Sequence, residues 1–302
     1  MNLISASRRT DIPAFHAEWF MKRIRSGSVG VVSPFGGKRF EVSLEPADVI
    51  AIVFWTKNAS PLLTYVDELK QRGYCFTFLY TINNYPAWVE PRVPDLCQTI
   101  RVLEDLTFRF GAPVVRWRYD TVILTDTLNR DWHVRNFHSL CAKLSPFVNE
   151  CIFSFCDYYK KTSRNMERTV PDHHKPDDVE YREIAGDLAR VAQSFGISLA
   201  SCAHDFLLSD AVSKARCMDP NFLSRAVDSA EKRRALARLK TAATRKECAC
   251  VASRDIGAYD TCAHGCIYCY ANTNPALATR NLKAMDSDSH YLDPKGSTGR
   301  VF

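Results

Sequence analysis

Near the end of the chain, Cys262-Ala-His-Gly-Cys266-Ile-Tyr-Cys269 sets three cysteines at C-x3-C-x2-C spacing, with Tyr268 immediately before the last. Three thiolates on one short loop suit a cubane iron–sulfur cluster, because each binds its own iron and the fourth iron is left without a protein ligand. An open iron is a place for chemistry, whereas a site closed by four cysteines carries electrons or stability. Ala263 and Gly265 let the backbone curl, so that successive N–H groups can face the sulfides and offset their charge.

The cysteine spacing together with the aromatic residue resembles the C-x3-C-x-aromatic-C signature of the radical S-adenosylmethionine superfamily, matched at Cys262, Cys266, Tyr268 and Cys269. The resemblance implies a [4Fe–4S] cluster whose open iron chelates S-adenosylmethionine. One electron then cleaves that molecule to methionine and a 5′-deoxyadenosyl radical, which abstracts hydrogen from a substrate. It further implies Tyr268 against the adenine and an electron donor such as flavodoxin or ferredoxin. Two features depart from the superfamily pattern. The signature usually follows the first strand, but here it begins about forty residues from the C-terminus, and no Gly-Gly-Glu-type strand follows it. The wider chain, with Ser-Arg-Arg-Thr-Asp at 7–11, Phe-Trp-Thr-Lys-Asn at 54–58, Trp-Arg-Tyr-Asp at 117–120 and Asp-Ile-Gly at 255–257, is similar to a bacterial family with this C-terminal cysteine cluster, which brings no known substrate.

The elements that must position these residues follow from hydrophobic patterning. Short apolar, β-branched or aromatic runs alternate with amphipathic stretches through the first two-thirds of the chain. Strands are expected at Ile4–Ala6, Val49–Trp55, Cys75–Thr81, Val114–Arg118, Cys151–Phe155 and Ile197–Ser201, and a hairpin around Val29–Val42. Helices are expected at Phe15–Ile24, Pro61–Arg72, Pro94–Phe110, Asp131–Leu144 and Val179–Phe195. Strands apolar on both faces, alternating with helices, indicate a parallel sheet covered by helices. Six such units equal the repeat number of the partial (β/α)6 TIM-like barrel of radical S-adenosylmethionine enzymes; a doubly wound parallel sheet is the alternative. The expected division is a barrel over 1–205 and a helical, Cys-rich segment over 206–302 that folds back on the barrel mouth.

In either architecture ligands gather at the C-terminal ends of the strands. That rule selects Arg8, Arg9 and Asp11 after the first strand, Thr56, Lys57 and Asn58 after the second, and Asn83 after the third. Arg118 and Asp120 follow the fourth, Asp157 and Lys160 the fifth, and Cys202, His204 and Asp205 the sixth. In the radical reading Arg118 and Asp120 join Tyr268 at the cofactor, while Arg8, Arg9, Asp11, Lys57, Asp157 and His204 face the substrate. Adjacent guanidinium groups at 8 and 9 repel unless an anion or a carboxylate lies between them, with Asp11 and Asp120 the candidate partners.

The 302 residues carry 40 basic and 34 acidic side chains, a net charge of +6 that fits small anions as well as nucleic acid. Residues 1–11 show no apolar stretch behind a basic start, and no later segment has the run of apolar residues that a membrane span needs. A cytoplasmic protein is expected. In a reducing compartment its twelve cysteines are read as ligands or core residues before disulfides. Cys75, Cys97, Cys141, Cys151 and Cys156 lie in apolar segments as small buried hydrophobes. Cys202, Cys217, Cys248 and Cys250 lie in the same third of the chain as the triplet, and four thiolates are the number that closes a second, auxiliary [4Fe–4S] cluster.

Other segments carry weaker signals. Residues 160–178, with His173 and His174, form a long connection that could act as a lid. The basic stretch 231–240 lies in a region of helical pattern from Phe206 to Lys246, and the tail from Asp286 to Phe302 is a loose end or a surface strap. Two further function classes stay open. One is a zinc-bound nucleic-acid module on Cys248, Cys250, Cys266 and Cys269, and the other an electron-transferring iron–sulfur protein. Substrates from small anions to peptides and nucleic acid remain open as well.

Overall fold

The structure is a computed structural model that describes residues 1–243 and 245–292. The chain begins with β1 (Asn2–Ala6), α1 (Ile12–Phe15), α2 (Ala17–Ser26) and the antiparallel hairpin of β2 (Ser28–Val32) and β3 (Arg39–Ser43). It continues through β4 (Val49–Thr56), α3 (Ser60–Leu63), α4 (Val66–Gln71), β5 (Phe76–Thr81), α5 (Leu96–Phe110), β6 (Val115–Val122) and α6 (Arg130–Leu144). Then come β7 (Glu150–Phe155), α7 (Lys160–Thr169), α8 (Asp178–Ser194), β8 (Ser198–Ser201), β9 (Val212–Lys214), α9 (Pro220–Leu223), α10 (Ala230–Ala237), β10 (Arg254–Asp255) and α11 (Pro275–Lys283).

Eight strands form one parallel sheet in the order β10-β1-β4-β5-β6-β7-β8-β9, flanked by helices. The expected parallel α/β sheet is present, with two strands more than the six read from sequence. β9 and β10 are three and two residues long, too short for any apolar period to show. Every residue of β5 is buried, as expected of a strand covered on both faces.

The two faces are covered differently. One carries Ile52, Phe54, Phe78, Trp117 and Phe153 against Phe20 of α2, Leu69 of α4, Leu103 of α5, Phe137 of α6 and Leu188 of α8. The other presents Leu3, Ala51, Val53, Leu79, Ile152 and Ala200 to Met218, Leu223, Val227, Leu236 and Val251 from the later part of the chain. A third, smaller core holds Tyr85, Val89, Ile123, Leu128, Cys156, Met166 and Ile267.

Three local expectations change. The helix expected over Pro61–Arg72 breaks into α3 and α4, where the Thr64 hydroxyl turns back to the Pro61 carbonyl at 3.2 Å and competes with continued helix. The connection 160–178 is not an open lid: α7 forms there with Thr162, Asn165 and Met166 buried on one face, and Met166 and Val170 join the third core. Among the described residues, the region from Phe206 to Lys246 holds a short 3-10 turn (Asp205–Leu207), the strand β9 and the short α9 and α10, because it runs across the sheet and buries isolated anchors such as Met218, Leu223 and Leu236. The basic stretch within it is partly tied down, with Lys232 Nζ on the Gly73 carbonyl at 3.0 Å and Arg233 Nε on that of Val227 at 3.0 Å. Residues 286–292 do strap the surface: the Trp19 indole donates to the Ser289 carbonyl at 2.9 Å, and the Gly30 amide to that of His290 at 2.9 Å. The rest of the expected tail lies outside the described residues. No helix among those described is long and apolar enough to cross a membrane.

Buried within this fold, His133 of α6 reaches the Ile123 carbonyl at 2.8 Å through Nε2 and the Tyr119 hydroxyl at 2.7 Å through Nδ1. Burial pushes its pKa from 6.5 down to about 4. Because the unfolded chain protonates first, stability is complete above pH 6.5 and declines as the pH falls toward 4, by about 3 kcal/mol from this residue. Urea unfolding between pH 7 and 4.5 should show that decline, and His133→Gln should reduce it, with buried His16, whose pKa is likewise lowered to about 4, supplying the remainder; an unchanged slope in the variant would contradict the assignment.

Candidate functional site

The cysteine loop lies across the C-terminal ends of β1, β4 and β5, held there by residues far away in sequence. Asp255, at the start of the segment that carries the loop, pairs through β10 with β1. Its carboxylate accepts from the hydroxyls of Ser5 at 2.8 Å and Ser7 at 2.7 Å, from the Arg8 amide at 2.8 Å and from Arg9 Nε at 3.0 Å. Burial opposes its ionisation, but Arg9 and these donors hold the carboxyl below its ordinary value. Residue 257 must be glycine, since a Cβ there would stand 2.0 Å from the Ser7 hydroxyl.

Asp11 is the second anchor. It caps α1 through the Ala14 amide at 3.0 Å, and it accepts from the Thr56 hydroxyl at 2.7 Å and the Lys57 amide at 2.7 Å. His264, between the first two cysteines of the triplet, brings Nε2 to Asp11 at 2.8 Å and Nδ1 to the Arg92 carbonyl at 3.1 Å. Gly265 follows in the left-handed region, at φ +78°, which turns the loop back toward Cys266. The Ile267 amide donates to the Val89 carbonyl at 3.1 Å.

A third knot is electrostatic. Glu90 accepts from Lys57 Nζ at 2.8 Å, from Asn83 Nδ2 at 2.9 Å and, in a short contact, from the Tyr268 hydroxyl. Burial works against both charges of the Lys57–Glu90 pair, yet each favours the other, so the Lys57 pKa lies above and the Glu90 pKa below its ordinary value. The Lys57 ammonium also lies 5.6 Å from the centre of the Tyr268 ring.

The three thiols share this end of the sheet, Cys266 buried and Cys262 and Cys269 half-buried. Burial pushes all three pKa values up, Cys266 well above its ordinary range; Cys262 feels the charge of Cys269, and Cys266 that of both Cys262 and Cys269. Amide groups of Asp11 and His264 are directed at Cys262, and those of Ala271 and Asn272 at Cys269. Among the described residues no three His, Cys, Asp or Glu side chains gather as ligands of one metal ion. A cubane asks for something else, three sulfurs each bound to a separate iron. The donor set fits that demand: three thiols on one loop, amide donors aimed at two of them, and the Lys57 cation close by.

A separate group forms on the sheet face away from the large helices. The Cys202 and Cys217 sulfurs lie 3.7 Å apart, Cys217 contacts Cys250, and Cys250 contacts Cys248. The Met218 amide donates to the Cys250 sulfur at 3.4 Å and Arg245 Nη2 to that of Cys202 at 3.3 Å. Cys248 and Cys250 therefore join Cys217 and Cys202, whereas the zinc alternative would have them join Cys266 and Cys269. Of the five cysteines read as core residues, Cys75, Cys141, Cys151 and Cys156 are buried and Cys97 is exposed.

The strand-end residues divide between anchoring and the site. Arg9 and Asp11 are occupied by Asp255 and His264, so they position the loop, and Asp11 is not the partner of the arginines. Arg118 pairs with Asp120, which also accepts from Ser154. Arg118 and Arg8 each place the guanidinium carbon 4.9 Å from the centre of the Trp55 ring. Asp157 pairs with Arg245, and His204, its pKa lowered by burial, touches the Cys202 carbonyl at 3.2 Å, so both lie with the four-cysteine group. His173 and His174 go separate ways, the first stacked on Tyr158 and the second 3.3 Å from Glu180.

Sequence reasoning missed Glu90, His264 and Arg245 and left Asp255 without a role. Asp255 and His264 lay inside recognised motifs, and their contacts across some 250 residues carry no local signal. Glu90 sits in an irregular, proline-rich loop where nothing distinguishes it from a solvated carboxylate. Asp255→Ala should cost roughly 3–5 kcal/mol in urea unfolding, since it leaves Arg9 buried and unpaired. A loss under about 1 kcal/mol would show that this carboxylate is not the anchor.

No curated protein and no solved structure matches the chain. The model of the family described as Domain of unknown function (DUF1848) matches residues 3–271, which takes in β1, the sheet and the whole cysteine loop, and the chain belongs to that family.

Proposed function

We propose that this protein is a radical S-adenosylmethionine enzyme. The observation that carries the reading is the C-x3-C-x-aromatic-C loop seated at the C-terminal ends of the strands, with Cys266 buried, Cys262 and Cys269 half-buried beside it, and amide groups turned toward the latter two. A [4Fe–4S] cluster with S-adenosylmethionine on its open iron would supply the 5′-deoxyadenosyl radical that abstracts hydrogen from a substrate. Cys262, Cys266 and Cys269 are its ligands. Tyr268, its hydroxyl tied to Glu90 and Asn83, offers its ring to the adenine. Lys57 balances negative charge beside Cys266, and Asp120 faces the ribose from the end of β6. Val89, Ile267 and Tyr85 close the loop against water, which a carbon radical requires.

The sheet reads as a partial barrel in the same proposal. Its order from β1 to β9 is sequential, with the helices α2, α5, α6 and α8 on one face, as right-handed crossovers in constant direction produce. Cys202, Cys217, Cys248 and Cys250 hold an auxiliary cluster in this reading, supported by the contact of their sulfurs and by the cations Arg118 and Arg245 beside them. Flavodoxin or ferredoxin is the proposed electron donor.

The protein reconstituted without oxygen should release 5′-deoxyadenosine when given S-adenosylmethionine and dithionite, and Cys266→Ala should abolish the release. A reduced, cluster-loaded protein that releases none with candidate substrates present would favour a purely electron-transferring role. Iron counting tests the second group independently: about eight irons per chain supports two cubanes, whereas about four excludes the auxiliary one.

A further inference from the structure

Three hydrogen-bond donors lie buried without a partner around one side chain. They are Nε1 of Trp55, Nη2 of Arg8 and Nε of Arg118. Both guanidinium carbons lie 4.9 Å from the centre of the Trp55 ring, so the three orphaned donors belong to one constellation. Trp55 and Arg118 point to the sheet face opposite the large helices, and Arg8 reaches them from the end of β1. Buried donors without a partner are costly. Arg118 has Asp120. Arg8 has no carboxylate partner among the described residues, and Nη1 reaches only the Ser253 hydroxyl, at 3.2 Å.

We propose that Arg8, Trp55 and Arg118 form a binding site for an oxyanion, a carboxylate or phosphate group carried by the substrate. Two guanidinium groups and an indole N–H supply several donors around one ring, and charge-assisted bonds from arginine forks suit such groups. Two contacts join this site to the cysteine loop. The Tyr270 hydroxyl, one residue beyond Cys269, donates to the Arg8 carbonyl at 2.6 Å, and Tyr270 and Arg118 act on each other electrostatically. The oxyanion would therefore hold a substrate beside the loop. That role rests on the radical reading, but the binding itself does not.

The full-length protein, purified without oxygen, is titrated at constant ionic strength with sodium phosphate and with sodium acetate, with sodium chloride as reference. Melting temperature and tryptophan fluorescence are followed. One of the two oxyanions should raise the melting temperature saturably and change the fluorescence, the preferred one identifying the substrate's charged group as phosphate or carboxylate. Arg8→Gln should weaken that response at least about tenfold. Its main-chain bonds to Asp255 and Tyr270 stay in place, and circular dichroism checks the fold. Arg8→Lys, which keeps the charge but loses the fork, should fall between. Trp55→Phe should lose the fluorescence change. Equal responses from the wild type and Arg8→Gln, or no saturable response to either oxyanion, would overturn the proposal. Release of 5′-deoxyadenosine from the same preparations reports on the radical chemistry separately.

Discussion

The carboxylate of Asp255 takes its hydrogen bonds from Ser5, Ser7, Arg8 and Arg9, partners about 250 positions away along the chain. Loop-closure entropy grows only slowly with length, so an attachment this distant is not much harder to make than a shorter one. The demand falls instead on geometry. A lone buried carboxylate is unfavourable, and one that meets two hydroxyls, an amide and a guanidinium in fixed positions is favourable in only one arrangement. The pairing of β10 with β1 and the contact of Gly257 with Ser7 follow from that arrangement.

From Asp255 the constraint passes down the loop through a second carboxylate. Asp11 holds together the turn after β1, the end of β4 and His264, so a shift of the cysteine loop against the strands would break several bonds at once. The Lys57–Glu90 pair does the same between β4 and the loop after β5, and extends it to Tyr268. Buried ion pairs are weak evidence for stability, but with one partner missing they are severely destabilising, and that makes them good at fixing position. The Arg9–Asp255 and Lys57–Glu90 pairs both fix the loop that carries the thiols.

Six of the sheet strands were legible because each is a run of apolar, β-branched and aromatic residues bounded by turns, and burial on both faces amplifies that pattern; β9 and β10 are too short to show one. The helices α5, α6 and α8 carried their own start signals in Asp95, Asn129 and Asp177, whose side chains accept from amides of the first turn. The triplet was legible because its ligands share one short loop. What escaped was non-local. Glu90 and Asp255 look like ordinary surface carboxylates until the fold brings Lys57 and Arg9 to them. Residues 206–246 looked helical because their charged and apolar residues recur at helical spacing, but the sheet face accepts single anchors from an irregular chain just as well.

That irregular stretch answers a problem set by the strand order. Right-handed crossovers running steadily from β1 to β8 put the connecting helices on one face and leave the other without a cover of their own. Leu3, Ala51, Val53 and Leu79 on that face must still be kept from water, and the segment that follows β8 does it with little regular structure. A cover of this kind has few repeating hydrogen bonds to hold it, so it depends on point attachments. Cys202, Cys217 and the Cys248–Cys250 pair converge there from separate stretches, and Arg245 binds both Asp157 and the Cys202 sulfur. The same segment that seals the open face then runs into β10 and delivers the cysteine loop to the strand ends. The late position of the triplet in the sequence is thus tied to the covering of the sheet, because the chain can reach Asp255 only after crossing that face.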